Sequence, residues 1–125
     1  MSRILIIDDD SFVHRMAGFM MKKAGHEAEC VSSGEEGLQK LMQQADSSAL
    51  PDMVFIDSEM PGLSGISTIE RIRQQQSISG VNVCLMTGTL TDELKQSAAS
   101  LGAVGCITKP LDIKDVTEIL SHAQQ

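Results

Sequence analysis

The stretch that decides the fold is residues 53–65, MVFIDSEMPGLSG. An apolar run ends there in one carboxylate, Asp57, and a turn rich in proline and glycine follows at once. A short, continuous apolar run of this kind is typical of a strand that is buried on both faces. Such a strand holds its last residue rigidly at the edge of a sheet. The stretch therefore predicts a chemical role for an acid at that edge, with the turn opening access to it.

The composition indicates one soluble globular domain. The chain has 125 residues, of which 42% are hydrophobic. This length and apolar content are enough for a single hydrophobic core. The formal net charge is −7. No apolar run is long enough to cross a bilayer and no secretory signal begins the sequence, so we expect a cytoplasmic protein without membrane contact. The negative charge argues against a nucleic-acid surface, which needs clustered lysine and arginine.

The cysteines, methionines and histidines do not form the pattern of a metal or disulfide site. The cysteines are widely spaced in or near apolar stretches, which is typical of reduced core thiols, and they are Cys30, Cys84 and Cys106. We expect the eight methionines to fill gaps in the core. The scattered histidines are predicted to be surface or partner-contacting residues, and they are His14, His26 and His122.

Five apolar runs alternate with five amphipathic segments along the chain. The apolar runs predict strands over residues 3–7, 27–31, 52–57, 81–86 and 103–108. The amphipathic segments predict helices over residues 11–24, 34–44, 64–75, 91–101 and 112–122. The first, third and fourth runs are almost wholly apolar, which indicates a parallel sheet covered by helices on both faces. Because crossovers are right-handed, few arrangements remain, and we predict a doubly wound, flavodoxin-like α/β fold with strand order 2-1-3-4-5.

Polar side chains stand where four of the predicted strands end. Asp8 and Asp9 follow the first strand, Asp57 ends the third, Thr87 follows the fourth, and Lys109 follows the fifth. In this strand order, ligands bind beyond the carboxyl ends of the strands, where the first and third strands lie side by side. The sequence therefore predicts carboxylates at the centre of this edge, with a hydroxyl and an ammonium group beside them.

Carboxylates gathered in this way favour a divalent cation and phosphoryl chemistry. Uncompensated buried charges are costly, and Mg²⁺ or Mn²⁺ with oxygen ligands relieves the repulsion between them. One aspartate can then act as a nucleophile towards phosphorus and form an aspartyl phosphate. Phosphoryl transfer needs mostly positioning and charge neutralisation, which the metal ion, Lys109 and Thr87 would provide.

Four motifs, each at a strand end, identify a family resemblance. They are LIIDDD near the start, VFIDSEMPGLSG in the middle, CLMTG after it, and GAVGCITKPLD near the end. Each motif is weak alone, but all four in this order are specific. The chain resembles a response regulator receiver domain, similar to stand-alone receivers of the chemotaxis type, over essentially all of its 125 residues.

The resemblance implies a role for each polar strand end. Asp57 would be the phosphoacceptor, Thr87 the switch hydroxyl, and Lys109 the lysine that pairs with the phosphoryl group. The Lys109–Pro110 peptide bond would be cis. The metal ion would be bound directly by Asp9 and Asp57, through water by Asp8, and by the backbone carbonyl of Glu59. We assign Asp10, by contrast, to capping the helix that follows, since acids favour a helix N-terminus.

The resemblance also implies the biological setting. The phosphoryl donor would be a phosphohistidine on a sensor histidine kinase or a histidine phosphotransfer protein of a bacterial two-component system. We expect one receiver domain over residues 1–125 with no output domain in this chain, so that output is protein–protein contact. A homodimer through the face formed by helix 4, strand 5 and helix 5 is a further expectation. Such a domain catalyses only its own phosphorylation and dephosphorylation and is otherwise not an enzyme.

The chain departs from the family pattern at Cys106, where receivers commonly have tyrosine or phenylalanine. In the family, that ring moves inward when the switch hydroxyl moves, and a cysteine is too small to transmit the change. Gly88 replaces the usual alanine and loosens the next loop. Glu59 and Thr89 would flank the line of attack of hydrolytic water and tune the lifetime of the phosphoryl group.

Two alternative functions remain open from the sequence. Cys106 motivates a receiver-like scaffold module that no longer switches. An aspartate-nucleophile phosphatase would need a general acid two residues after the nucleophile, where Glu59 stands although the usual residue is aspartate. A dinucleotide site is unsupported, because the glycine-rich fingerprint is missing.

Overall fold

The computed structural model describes residues 2–123 of the chain. The strands are β1 Arg3–Ile7, β2 Glu27–Val31, β3 Met53–Asp57, β4 Val83–Thr87 and β5 Gly105–Thr108. The helices are α1 Ser11–Lys23, α2 Gly34–Asp46, α3 Gly65–Gln74, α4 Asp92–Ser100 and α5 Ile113–Ala123. Every predicted strand and helix is present, with bounds that differ from the prediction by no more than two residues.

The five strands form one parallel sheet in the order β2-β1-β3-β4-β5, which confirms the prediction. The register brings the strand ends into line: Ile7 pairs with Ile56, and Asp57 is opposite Met86. At the far side, Thr87 is opposite Thr108. The residues that follow β1, β3, β4 and β5 are therefore neighbours along one edge of the sheet.

The apolar strands are buried on both faces because each face packs against its own helices. Alternate residues of one strand enter different cores, which explains the lack of a polar period in β1, β3 and β4. The core beneath α2, α3 and α4 includes Leu5, Ile7, Val54, Ile56, Ile69, Ile72 and Leu85. The core beneath α1 and α5 includes Ile4, Ile6, Ala17, Met21, Phe55, Met86, Val116 and Leu120.

Local signals in the sequence set the limits of α1. The Asp10 side chain accepts a hydrogen bond from the Phe12 backbone N–H at 2.9 Å, so Asp10 is the N-cap, as predicted. At the other end, Gly25 has a φ of +85°. Glycine adopts this left-handed conformation readily, and helices commonly end at such a residue. Asp10 therefore belongs to the start of α1, whereas Asp8 and Asp9 follow the end of β1.

Among the methionines that the structure describes, the predicted core position is wrong for two, and Met1 lies outside the described residues. Met16 is 49% exposed on α1, and Met42 is 38% exposed on α2. On α1, Phe12 and Phe19 are also exposed, by 60% and 69%, so the helix has an apolar stripe that faces outward. Among residues 2–123, no helix has the length and apolar character needed to span a membrane.

Candidate functional site

Three carboxylates meet at the carboxyl edge of the sheet. Asp8 and Asp9 follow β1, Asp57 ends β3, and one carboxylate oxygen from each lies within 4.8 Å of the others. Asp8 is fully buried and Asp57 is 5% exposed, whereas Asp9 is exposed. The cluster is thus open to solvent on the side of Asp9, and the structure brings together the three aspartates that the sequence singled out.

Lys109 provides the cation of this cluster. Its Nζ lies 2.6 Å from Asp8 Oδ2 and 3.2 Å from Asp57 Oδ2. The Lys109 backbone N–H donates to the Thr87 carbonyl at 2.8 Å, which ties the end of β5 to the end of β4. The Lys109–Pro110 bond is cis, as the resemblance implied. The lysine is therefore anchored at its backbone and reaches across β4 to both buried acids.

The cluster shifts the ionisation of its own members. Burial raises the pKa of the Asp57 carboxyl group, and the Asp8 charge adds to this. The Glu59 backbone N–H, 3.3 Å from Asp57 Oδ1, and the Lys109 ammonium lower that pKa but do not outweigh burial. Burial lowers the pKa of Lys109, yet its contacts with Asp8 and then Asp57 raise it above its ordinary value. The lysine is thus held in its charged form.

The donor set fits a hard divalent cation. With the three carboxylates ionised, one ammonium group leaves a net negative charge at the edge of the sheet. Carboxylate oxygens close together are ligands that Mg²⁺ prefers, with water in the remaining positions. Glu59 is exposed, and its backbone lies beside Asp57 through the 3.3 Å hydrogen bond of its N–H.

A close approach of the backbone shapes the loop after Asp57. Gly65 begins α3, and its N–H donates to the Ser58 carbonyl at 3.2 Å. A Cβ at Gly65 would collide with the Asp57 carbonyl oxygen and with the Ser58 Cα. The loop can therefore return against the end of β3 only with glycine at this position. Gly65 lies within the stretch of residues 53–65, but the pattern of that stretch alone did not predict this close approach.

Thr87 is buried, with 1% exposure, at the end of β4. Its hydroxyl group donates to the Thr89 carbonyl at 3.0 Å and accepts from the Thr89 N–H at 3.2 Å. In this structure the hydroxyl is therefore bonded within the loop that leads to α4. The structure places Thr87 at the predicted edge, beside the backbone of Lys109, with its side chain turned to that loop.

This geometry agrees with the comparison to known protein families. The sequence model of the family named "Response regulator receiver domain" matches residues 4–121. The chain belongs to the response regulator receiver family. Receiver domains are generally signalling modules of two-component systems and not enzymes, and this one is CheY-like.

The chain matches most of the length of one relative but only a part of another. The chemotaxis protein CheY of Treponema pallidum is 32% identical over 117 residues, which cover 93% of this chain and 78% of that protein. Protein-glutamate methylesterase/protein-glutamine glutaminase 1 of Syntrophomonas wolfei is 33% identical over 126 residues, covering 94% of this chain. The receiver spans only 34% of that methylesterase, so the likeness concerns one part of the larger protein.

Solved structures support the same fold. Chemotaxis protein CheY4 of Vibrio cholerae superposes with a TM-score of 0.84 at 25% identity, covering 98% of both chains. A response regulator receiver domain protein of Clostridium thermocellum gives 0.85 at 27% identity, covering 98% of this chain and 94% of that one. The doubly wound fold predicted from the sequence is thereby confirmed.

His14 makes a contact that the predicted role as a surface or partner residue does not include. Its side chain is half-buried on α1, and Nε2 is hydrogen-bonded to the backbone carbonyl of Asp8. The spacing of six residues between the acid and the histidine across a strand–helix turn was the only sequence signal for this contact. The receiver thus has one more polar side chain in contact with the backbone of its acidic cluster.

Cys106 lies on β5 between two shallow surface cavities. One, of about 280 Å³, continues towards Asp115 and Glu118 of α5, and the other, of about 230 Å³, towards Lys95 of α4. Burial raises the pKa of the Cys106 thiol despite the nearby Lys95 charge. The thiol is half-buried and packs at the margin of the core beneath α4, so the expected core position holds only in part.

Proposed function

We propose that this receiver accepts a phosphoryl group on Asp57 in a Mg²⁺-dependent reaction and signals through phosphorylation-dependent protein contacts. The observation that carries the proposal is the position of Asp57, with Lys109 Nζ 3.2 Å from one of its oxygens and two further aspartates beside it. A nucleophilic carboxylate flanked by a fixed cation and a metal-type donor set is what phosphoryl transfer needs.

The metal ligands in this proposal are Asp9, Asp57 and the Glu59 carbonyl, with Asp8 acting through water. When bound, Mg²⁺ (or Mn²⁺) neutralises the charge of the incoming phosphoryl oxygens. The chain itself contributes the rigid placement of the carboxylates at adjacent strand ends. The buried Asp8 keeps Lys109 beside Asp57 through its 2.6 Å ion pair, so the cation is in position before the phosphoryl group arrives.

The transfer step balances with groups that the donor and the chain provide. A carboxylate oxygen of Asp57 attacks phosphorus and forms a P–O bond. The P–N bond of the phosphohistidine breaks, and its electron pair returns to the imidazole nitrogen, which leaves neutral because the other ring nitrogen is protonated. Lys109 pairs with the oxygens of the transferred group. A sensor histidine kinase or a histidine phosphotransfer protein is the proposed donor.

The switch in this proposal is the hydroxyl group of Thr87. Its present partner, Thr89, is in the loop before α4. A phosphoryl group on Asp57 offers stronger, charged acceptors to the same hydroxyl. Rotation of Thr87 towards them would release Thr89 and favour a second arrangement of that loop, which is a two-state element of the kind that phosphorylation biases.

The proposed contact surface for the donor is the exposed stripe of α1. Phe12 and Met16 border a cavity of about 290 Å³ that continues to Lys109, Pro110 and Leu111 beside the acidic cluster. The helix contains three basic residues and no acidic one within an acidic protein. This surface suits a partner helix with apolar residues flanked by acids, and it adjoins the acceptor site.

The output of the proposed switch is contact with another protein chain. We propose that residues 1–125 act as one receiver domain in the cytoplasm, and that the face of α4, β5 and α5 contacts a downstream protein or a second copy of the chain. The cavities on either side of Cys106 lie on this face. They leave room for a partner side chain where other receivers place their own ring.

The test is phosphorylation by acetyl phosphate followed by intact mass. We expect a gain of one phosphoryl group with Mg²⁺, no gain without metal, and no gain in Asp57→Asn. If no gain is seen, the measurement is repeated with beryllofluoride, which mimics the phosphoryl group and does not hydrolyse, while backbone amide shifts are followed. Silence in both experiments favours the scaffold alternative. Catalytic turnover of a small phosphate ester would instead favour the phosphatase.

A further inference from the structure

His14 is the one half-buried side chain of α1 whose polar atom contacts the backbone of the acidic cluster in the described residues. Its Nε2 is bonded to the Asp8 carbonyl oxygen. A carbonyl oxygen can only accept, so Nε2 carries the hydrogen. The histidine is anchored at its own backbone, where its N–H donates to the Asp10 carbonyl at 3.2 Å and its carbonyl faces Cys30 Sγ at 3.9 Å.

The Asp8 carbonyl lies where the sheet ends. The pairing of β1 with β2 stops at Ile7 and Val31, and the Asp8 N–H makes one more bond, to the Val31 carbonyl at 3.1 Å. The next amide of that segment, Ser32, donates to a Glu36 carboxylate oxygen at 3.2 Å. His14 thus supplies the donor for a carbonyl at the point where β2 turns away, and a carbonyl this close to buried carboxylates needs one.

This hydrogen bond acts on both site aspartates at once. The Asp8 carbonyl and the Asp9 N–H belong to the same rigid peptide plane. Fixing the carbonyl therefore fixes the plane from which both side chains extend. On its other side, the Asp8 carboxylate is held by the Asp10 N–H at 2.9 Å and by Lys109 at 2.6 Å. Asp9, which is exposed, has no comparable support from its side chain's surroundings in the described part of the chain.

We infer that His14 is a positioning residue for the metal site, which holds the Asp8–Asp9 peptide so that the Asp9 carboxylate points at the bound ion. The inference rests on the proposed function. Groups that orient metal ligands from the outer shell are worth roughly 10- to 100-fold in metal affinity. Because His14 acts through a peptide and not on the carboxylate itself, the lower end of that range applies.

The test compares two variants of nearly equal size. His14→Gln keeps an N–H donor, and His14→Met removes it. Mg²⁺ is titrated at a fixed, neutral pH while the amide signals of Asp9 and Asp57 are followed. We expect the Mg²⁺ dissociation constant to rise about tenfold in His14→Met and to stay within about threefold of the parent in His14→Gln.

The matched control is His26→Met. His26 is also half-buried, and its Nδ1 accepts from the Ser2 backbone N–H at 3.1 Å, at the opposite end of β1. A purely structural role of a buried histidine would affect both Met variants alike. We therefore expect His26→Met to lose thermal stability without any change in Mg²⁺ affinity.

The possible outcomes separate the two claims. A parent protein that binds no Mg²⁺ overturns the proposed function. A parent that binds Mg²⁺ with the same affinity as His14→Met overturns the positioning role alone. If His14→Met does not fold, the metal-free parent decides, because imidazole nitrogen signals report the tautomer. A slowly exchanging Nε2–H supports the contact with Asp8, and an Nδ1–H tautomer with a bare Nε2 overturns it.

Discussion

Lys109 makes its shorter ion pair with Asp8, at 2.6 Å between Nζ and Oδ2. Its contact with Asp57, the proposed acceptor, is longer, at 3.2 Å. Asp8 is fully buried, and a buried carboxylate is tolerated only with a partner. The lysine is therefore the counter-ion of the metal-free cluster, and a divalent cation has to bind beside a charge of its own sign.

The first prediction concerns the removal of that lysine. Lys109→Gln should lower the free energy of unfolding without metal by about 3 kcal/mol, because two buried carboxylates lose their partner. It should bind Mg²⁺ more tightly, by about fivefold or more, because like charges a few ångströms apart repel by roughly 1 to 4 kcal/mol. Urea unfolding in EDTA and a Mg²⁺ titration measure the two effects. The exposed Lys114→Gln is the control, and weaker Mg²⁺ binding in Lys109→Gln would contradict the argument.

The second prediction concerns pH and Asp57. Burial raises the pKa of Asp57 in the folded state above its unfolded value, so folding favours the protonated acid. The stabilisation is present at pH values below the unfolded pKa and is lost as pH rises through the folded pKa. At neutral pH the ionised side chain therefore opposes folding.

Replacing the charge should remove this effect. In EDTA at pH 7, Asp57→Asn should unfold at higher urea than the parent, because the amide carries no charge that burial disfavours. The difference should shrink as the pH is lowered through the range in which Asp57 takes up its proton. A difference that does not change with pH would show that packing, and not charge, is responsible.

The third prediction concerns the loop after β3. Gly65→Ala places a Cβ against the Asp57 carbonyl oxygen and the Ser58 Cα, both of which are backbone atoms that cannot yield easily. We expect a loss of about 2 kcal/mol in the free energy of unfolding, within the range for overpacked sites, and weaker Mg²⁺ binding because the Glu59 carbonyl moves with the loop.

The chain offers a matched control for this variant. Gly18 lies within α1, and a Cβ there would meet no atom within 4 Å. Because alanine favours a helix over glycine by about 1 kcal/mol, Gly18→Ala should be as stable as the parent or more so. Equal effects of the two substitutions on unfolding, measured by urea titration, would rule out the steric argument.

The fold and the core of the site could be predicted because both depend on local signals. Apolar runs and capping residues such as Asp10 set the elements, and parallel strands bring their carboxyl ends to one edge. For that reason the sequence alone predicted that three side chains lie close together, those of Asp8, Asp57 and Lys109. The structure adds the distances between them.

The parts that the sequence did not predict are contacts between distant elements. Arg73 of α3 illustrates this, because its guanidinium donates to four carbonyls in two other loops, at Ser79, Val81, Leu101 and Gly102. An arginine that is half-buried in this way looks in the sequence like any solvated charge. The contact of His14 with the Asp8 carbonyl is likewise not visible in the sequence. The exposed apolar stripe of α1 has the same helical spacing as a buried one. The sequence therefore does not show which stripe of the helix faces the sheet.

The last prediction tests that stripe as the contact surface for the phosphodonor. Phe19 is 69% exposed, and Lys23 Nζ lies 5.6 Å from the centre of its ring. Phe19→Ser should therefore change the free energy of unfolding by no more than about 0.5 kcal/mol. A small phosphodonor needs no docking surface, so the rate of phosphorylation by acetyl phosphate should equal that of the parent. Transfer from a phosphorylated histidine phosphotransfer protein should be about tenfold slower, because an exposed aromatic residue at the centre of an interface contributes 1 to 2 kcal/mol.

Met42→Ser, which alters an exposed apolar residue on α2, should leave both rates unchanged. Equal slowing with both donors would place the effect of Phe19→Ser in the acceptor site and not in docking.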